Sequence, residues 1–196
     1  MELFNDHSLI ESQIEENIKL YNFNEILSEL PKGSILVGGY IRDLILGKLV
    51  DKPDLDIVVN NNALAIGQKI STTFSGKLIV LDKERSIVRV IFKRFSLDIS
   101  SQLAGSLNDD LLRRDFTINA IGYCFISKRI IDPSNGIADI KKSILRTHNN
   151  QNIIDDPLRI LRCFRFFSEL NFEIEKKLLN LIKVNKNLLS LVSSER

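Results

Sequence analysis

The chain has 196 residues, 44% hydrophobic and 27% charged, with 27 Lys and Arg against 25 Asp and Glu for a formal net charge of +2. That composition excludes a disordered or fibrous chain and suffices for one good core, or one domain with a small appendage. No apolar run reaches the length of a membrane span, the acidic N-terminus lacks the hydrophobic stretch of a secretion signal, and Cys124 and Cys163 stand far apart without a CxxC, so neither a disulfide framework nor a zinc site is indicated. A cytoplasmic protein with no membrane partner is expected.

In chain order, residues 8–30 place Leu9, Ile10, Ile14, Ile18, Tyr21, Ile26, Leu27 and Leu30 at helical spacing until Pro31-Lys32-Gly33 stops the pattern, which predicts an N-terminal helical extension over 1–33. Ile35, Leu36 and Val37 form a short apolar strand. Gly38 and Gly39 break it where only glycine lets backbone come close to a ligand, and the helix that follows offers free N–H groups to an anion. Arg42, one turn in, can add a forked contact to phosphate. Asp54-Leu55-Asp56 then leads into Ile57, Val58 and Val59, and strand alternation sends both carboxylates to one face while Leu55 enters the core. Two hard oxygen ligands so placed suit Mg²⁺, which is held by one or two carboxylates together with substrate phosphates. Alone, the glycine pair reads as a loop and Pro53-Asp54 as a turn. Together they read as a phosphate and metal site.

Gly38-Gly39-x-x-Arg42-Asp43 followed by Asp54-x-Asp56 resembles the head-domain signature of the class II tRNA nucleotidyltransferase and bacterial poly(A) polymerase family, the CCA-adding enzymes among them. The resemblance extends over roughly residues 34–168. It implies a nucleotidyltransferase-type mixed β-sheet with helices in a head domain over 34–150, followed by a short all-helical neck segment over 151–196, an α+β fold. The residue patterns agree: a helix over 63–70 and strands over 77–81, 86–92 and 95–99 suit a mixed sheet. Asp98 sits among apolar neighbours of the last strand. In the family that position resembles a third acidic residue beside the metal pair, a base or an electrostatic helper; the other reading is an Asp that ends a strand. Residues 82–85, Asp-Lys-Glu-Arg, read as a charged hairpin turn or as the family's flexible loop.

Residues 111–120 nearly repeat the family's RRDFTxNA motif. By chemistry alone, Arg114 can fork onto a triphosphate or a base and Asp115 can accept from a ribose hydroxyl, or the two are a surface ion pair ahead of a buried Phe116. The resemblance implies that Arg114 binds nucleotide and that Asp115 and Asn119 organise the ribose pocket. Residues 131–140 reverse the chain into a helix and resemble a motif that flexes between head and neck; no chemistry is assigned to them.

Residues 155–166 form the third block. Pro157 suits a first helical position with Asp156 as N-cap. At helical steps, Asp156, Arg159, Arg162 and Arg165 cover about half the circumference, opposite Ile160, Leu161, Phe164 and Phe167. Such a face could read a base edge and neutralise phosphates, or be solvated; Leu158 and Phe166 interrupt it, so it is expected to be covered. In the family this block is the protein template for the incoming base, with Asp155 here in place of the usual Glu. From Asn171 the apolar residues stay helix-spaced up to a partial neck motif at 193–196, so a body and tail are expected to be missing or supplied separately.

Charge is uneven as well. Residues 1–112 carry 12 basic and 16 acidic side chains, and 113–196 carry 15 and 9, which gives metal carboxylates to the first part and a polyanion-binding tendency to the second. The expected activity is template-independent addition of CMP and AMP, from CTP and ATP, to a tRNA 3′ end with release of pyrophosphate. Addition of only CC, only A or poly(A), and an inactive nucleotide-binding fragment that needs a partner chain, are the alternatives.

Overall fold

The N-terminal helical pattern folds as two helices, α1 (His7–Leu20) and α2 (Asn24–Glu29), where one was expected. The break falls where the Phe23 side chain turns into the core, edge-on to Phe95 and tilted against Phe125. A computed structural model describes residues 7–21, 23–48, 51–60, 62–102 and 105–192. Their contacts group into two interleaved units, one within Met1–Leu107 and Gly122–Ile131, the other within Asn108–Ile121 and Asp132–Arg196. The boundaries at 33 and 150 read from sequence are linear, whereas these are not.

In the first unit the chain runs β1 (Ile35–Val37), α3 (Gly39–Ile45), β2 (Asp54–Val59), α4 (Ala63–Thr73), β3 (Lys77–Asp82), β4 (Ile87–Ile91) and β5 (Ser96–Ser101). After α5 (Leu107–Leu112) it returns with β6 (Gly122–Cys124) and β7 (Arg129–Ile131). The seven strands form one mixed sheet in the order β3-β4-β5-β2-β1-β6-β7, with β2 and β5 parallel and the other neighbours antiparallel. Leu55, Ile57, Val59, Val88, Val90, Leu97 and Ile99 share one face by alternation and are all buried. Helix α4 packs over β3, β4 and β5, capped by Asn62, whose side chain accepts from the Ala65 N–H at 3.2 Å. The β3–β4 link is a charged hairpin turn in which Asp82 Oδ1 accepts from the Arg85 N–H at 2.9 Å.

Helix α1 is tied to the β6–β7 hairpin by charge. Glu11 accepts from the Ile130 N–H at 2.9 Å and from Arg129 at 3.4 Å, and Glu15 from Lys128 at 3.2 Å.

The second unit holds a tight 3₁₀ turn, Thr117–Asn119, then α6 (Gly136–Lys141), β8 (Ile144–Leu145), α7 (Gln151–Asp155), α8 (Leu158–Leu170), β9 (Glu173–Ile174) and α9 (Lys176–Asn185). Asn171, at φ 56°, closes α8 in the left-handed conformation. Among the described residues from 151 on, the regular elements are helices apart from β9, a two-residue strand that pairs in parallel with β8.

The 131–140 motif packs tightly in this unit. The Asp132 carboxylate accepts from the Gly136 and Ile137 N–H groups at 2.7 and 3.0 Å, and Thr117 Oγ1 donates to Asp139 at 2.5 Å. A Cβ on Gly136 would lie 2.1 Å from the Thr117 carbonyl oxygen, so the helix reaches the 3₁₀ turn only because residue 136 has no side chain. Gly136→Ala is expected to cost about 1–3 kcal/mol or more, as overpacking does, and urea unfolding followed by far-UV circular dichroism would detect it. An unchanged midpoint would mean that the turn yields freely.

Candidate active site

Strand register assembles the first part of the site. Asp54 and Asp56 stand on one face of β2, and Val37, at the end of β1, pairs with Asp56, so the Gly38-Gly39 turn leaves the sheet beside the two carboxylates. Gly38 has φ 82° and ψ −136°, a conformation open in practice to glycine. Helix α3 begins at Gly39, and Arg42, at the end of its first turn, comes back over that residue: its Nη2 lies 3.5 Å from where a Gly39 Cβ would be. The Arg42 guanidinium also forks onto Asp43, with Nε and Nη2 each donating at 2.9 Å. It is thus held in place beside the glycine turn.

Asp54 accepts from the Ser96 hydroxyl. Across the parallel β2–β5 pairing, Asp56 is in register with Asp98, and Asp98 is in register with Arg89 of β4. Arg89 donates from Nε to Asp98 Oδ1 and from Nη2 to Oδ2, both at 2.7 Å. This hydrogen-bonded fork, opposed by burial and reinforced by the charges of Asp98, Asp54 and Asp56, raises the Arg89 pKa further above its already high value. Sequence reading missed Arg89, because only the pairing of β4 with β5 brings it to Asp98. With both oxygens facing a guanidinium, Asp98 is engaged as an ion-pair partner.

The donor set suits Mg²⁺ in one respect: Asp54 and Asp56 are two hard carboxylates projecting from one strand face, neither of them fully buried. Among the described residues no group of three or more potential metal-binding side chains is gathered, in keeping with Asp98 being held by Arg89. The residues that would hold the cation are therefore Asp54 and Asp56.

The second unit carries the other candidates. Asp115 is buried, and its carboxylate accepts from its neighbour's N–H (Phe116, 2.8 Å), from Asn119 Nδ2 (3.0 Å) and from Arg162 Nε and Nη2 (2.8 and 2.6 Å). Burial alone would raise its pKa, but Arg162, Asn119 and the Phe116 N–H outweigh that and hold the carboxyl below its ordinary value. Four protein donors fill about as many acceptor positions as a carboxylate has, so Asp115 is fully engaged within the protein.

Arg159 is anchored through Nη1, which donates to the carbonyls of Arg113 and Asn152 at 2.9 and 3.0 Å. Its Nε lies 3.9 Å from Asp156 Oδ2, while Asp156 Oδ1 accepts from the Leu158 N–H at 3.3 Å and caps α8. Burial lowers the Arg159 pKa against the pull of Asp115 and Asp156. The result is an acceptor and a donor side by side, each fixed by a second contact. Asn152, not singled out from sequence, braces this corner by donating to the carbonyls of Leu112 and Arg114 at 2.8 Å. Arg114 lies 3.9 Å from Asp110, and its buried Nε has no partner among the described residues.

The arginine-bearing face of α8 is covered, as its Leu158 and Phe166 lead one to expect, while much of the opposite face stays open. Ile160, Cys163 and Phe166 are buried, whereas Leu161, Phe164 and Phe167 are 50%, 45% and 49% exposed. The arginine-rich side is the packed one, because Arg162 reaches in to Asp115 and Phe166 stacks edge-on against Phe116. Arg162 and Arg165 flank the Phe166 ring at 5.5 and 4.8 Å, and Arg165 remains half exposed, 3.8 Å from Glu169. The second unit also has a cavity of about 760 Å³, lined by Asp139, Lys142, Arg146, Glu175 and Lys176 among others; none of the predicted site residues lines it.

The profile of the poly(A) polymerase head domain matches residues 34–146, which include both the glycine turn with its Asp pair and the 111–120 block. The chain belongs to the class II tRNA nucleotidyltransferase and poly(A) polymerase family. Similar family members include a CC-adding tRNA nucleotidyltransferase of Synechocystis, 36% identical over 87% of this chain and 41% of its own length. Another is an A-adding tRNA nucleotidyltransferase of Halalkalibacterium halodurans, 32% identical over 97% of this chain and 48% of its own. The chain thus spans less than half the length of these two relatives. Among solved family structures, a CCA-adding enzyme in complex with ATP superimposes with a TM-score of 0.81 at 28% identity, over all of this chain and 49% of that one.

The Asp115 hub has a consequence for stability. A carboxyl with a depressed folded-state pKa contributes stability that is present above its unfolded pKa, about 4, and is lost as pH falls through the folded value. Wild-type stability should fall as pH drops below about 4, and the Asp115→Asn variant should show a shallower slope there. Asp115→Ala, which leaves Arg162 and Asn119 facing a void, should cost about 3 kcal/mol, toward the low end for such pairs because Arg162 can rehydrate. Parallel stability–pH curves for wild type and Asp115→Asn would refute the assignment.

Proposed function

We propose that this chain catalyses nucleotide transfer to RNA: the 3′-hydroxyl of a tRNA attacks the α-phosphorus of CTP or ATP, a new P–O bond forms, and the bond to pyrophosphate breaks. The observation that carries this reading is the placement of Asp54 and Asp56 on one sheet face, in register with the strand that ends in the Gly38-Gly39 turn. A bound divalent cation would supply charge neutralisation at the transferring phosphate, and Asp54 and Asp56 would hold it. The backbone N–H groups at Gly38 and Gly39, with Arg42, would orient the triphosphate.

Base choice is assigned to the second unit. Asp156 can only accept and Arg159 can only donate, whereas cytosine and adenine each present an amino donor and a ring-nitrogen acceptor on the pairing edge. Guanine and uracil present an acceptor carbonyl and a ring N–H instead. One Asp–Arg pair therefore matches C and A and leaves groups unpaired against G and U, at about 1–3 kcal/mol per buried group. Arg114 would bind nucleotide as well, with Arg165 on the exposed flank of α8, Arg162 behind, and Asp115 and Asn119 bracing the pocket. The relatives include CC-adding, A-adding and CCA-adding enzymes, each of which draws on C, on A or on both. Two free cysteines, with Cys163 buried, support a reducing, cytoplasmic setting.

The test is incubation with tRNA trimmed of its terminal CCA, Mg²⁺ and each labelled nucleotide singly. Label is expected from CTP, ATP or both, and none from UTP or GTP. Asp56→Ala should lower transfer at least about a hundredfold, the scale of losing a transition-state electrostatic contact, while its circular dichroism and melting temperature stay close to wild type. Turnover retained by Asp56→Ala would refute the metal assignment. Nucleotide binding without transfer in the wild type would favour a binding module that needs a partner chain for RNA.

A further inference from the structure

Arg89 lies in none of the sequence motifs, yet it reaches onto the carboxylate face of the first unit. Because β5 runs between β2 and β4, Asp98 has Asp56 as its register partner on one side and Arg89 on the other. Both Asp98 oxygens accept from Arg89, at 2.7 Å each, so the carboxylate is engaged toward β4. Three carboxylates and one guanidinium leave Asp54, Asp56, Asp98 and Arg89 with two net negative charges, which a single divalent cation would match.

A cation that must also bind substrate phosphates needs open coordination positions. Mg²⁺ in such sites takes one or two carboxylates and leaves the rest to phosphates and water. A third carboxylate, one strand away at a spacing of about 5 Å, would fill a further position and tighten the ion before nucleotide arrives. A bidentate arginine fork, directional and charge-assisted, is the kind of contact that can keep such a carboxylate aside.

We infer that Arg89 is a positioning residue for the metal site: it holds Asp98 out of the ligand set and confines the divalent cation to Asp54 and Asp56. The inference rests on the proposed role of that pair. It assigns Asp98 the part of a charge partner, and it makes affinity for the bare ion a property set by a residue that never touches it.

The probe is Mn²⁺ alone, with free ion counted by electron paramagnetic resonance in the absence of nucleotide. Asp56→Asn should weaken binding about tenfold. Arg89→Met, which frees Asp98, should tighten it about threefold or more. The double variant Arg89→Met/Asp98→Asn keeps the net charge of the face and should return to within about twofold of wild type. If the double variant binds Mn²⁺ as weakly as Asp56→Asn, Asp98 is a ligand and the inference is overturned while the metal pair stands. If wild type takes up no Mn²⁺, or Asp56→Asn leaves uptake unchanged, both fall. Should Arg89→Met not fold with Asp98 uncompensated, the charge-conserving double variant decides alone.

Discussion

Carboxylates on one face of a sheet repel one another, and neighbouring strands of the first unit carry three on the same face: Asp54 and Asp56 on β2 and Asp98 on β5. A fold that keeps them there must supply positive charge. Arg89 supplies part of it through its fork onto Asp98, and the remaining deficit is one that a bound cation would offset. The glycine turn follows from the same register, since β1 pairs with β2 so that its last residue meets Asp56. Sheet topology, parallel β2–β5 flanked by antiparallel β1 and β4, is thus what converts scattered Asp, Gly and Arg residues into one chemical surface.

The second unit solves a different problem, that of holding polar groups in fixed positions with little bulk. Asp115 is its hub: one buried carboxylate joins the 3₁₀ turn to α8 through Phe116, Asn119 and Arg162. Around it, Asn152 and the Arg113 carbonyl hold Arg159, and the Asp156 side chain closes the end of α8. Each of these groups is constrained by a second contact, which is what a recognition pair needs if its hydrogen-bond pattern is to discriminate between bases.

Much of this was legible in the sequence because the informative residues obey local rules. Strand alternation at 54–59 put both carboxylates on one face, and the Gly38-Gly39 break after an apolar triplet marked the turn. Helical spacing found α4 and α8. Information that depends on pairing was not local. The β6–β7 hairpin went unassigned, Arg89 was invisible until β4 and β5 were set in register, and the α1–α2 break was decided by Phe23 packing on rings distant in sequence. The α8 face was legible in part, since Leu158 and Phe166 among its arginines marked that side as covered. That Leu161, Phe164 and Phe167 on the other side stay exposed depends on the buried Asp115, which draws Arg162 inward. The turn residues of the Asp132–Ile140 stretch read only as a chain reversal into a helix, and the close contact between Gly136 and Thr117 depends on a pairing that the sequence does not show.

The central claim is that a fixed acceptor–donor pair, Asp156 and Arg159, selects the nucleotide. The most direct test is calorimetric titration of the chain with CTP, ATP, UTP and GTP in the presence of Mg²⁺, for wild type and Arg159→Ala. The account predicts that wild type favours CTP and ATP over UTP and GTP by about tenfold or more. It also predicts that Arg159→Ala weakens CTP and ATP and narrows the gap, with residual affinity kept by the triphosphate contacts. Full discrimination against UTP and GTP in Arg159→Ala would contradict it and make α8 a packing element with a charged face.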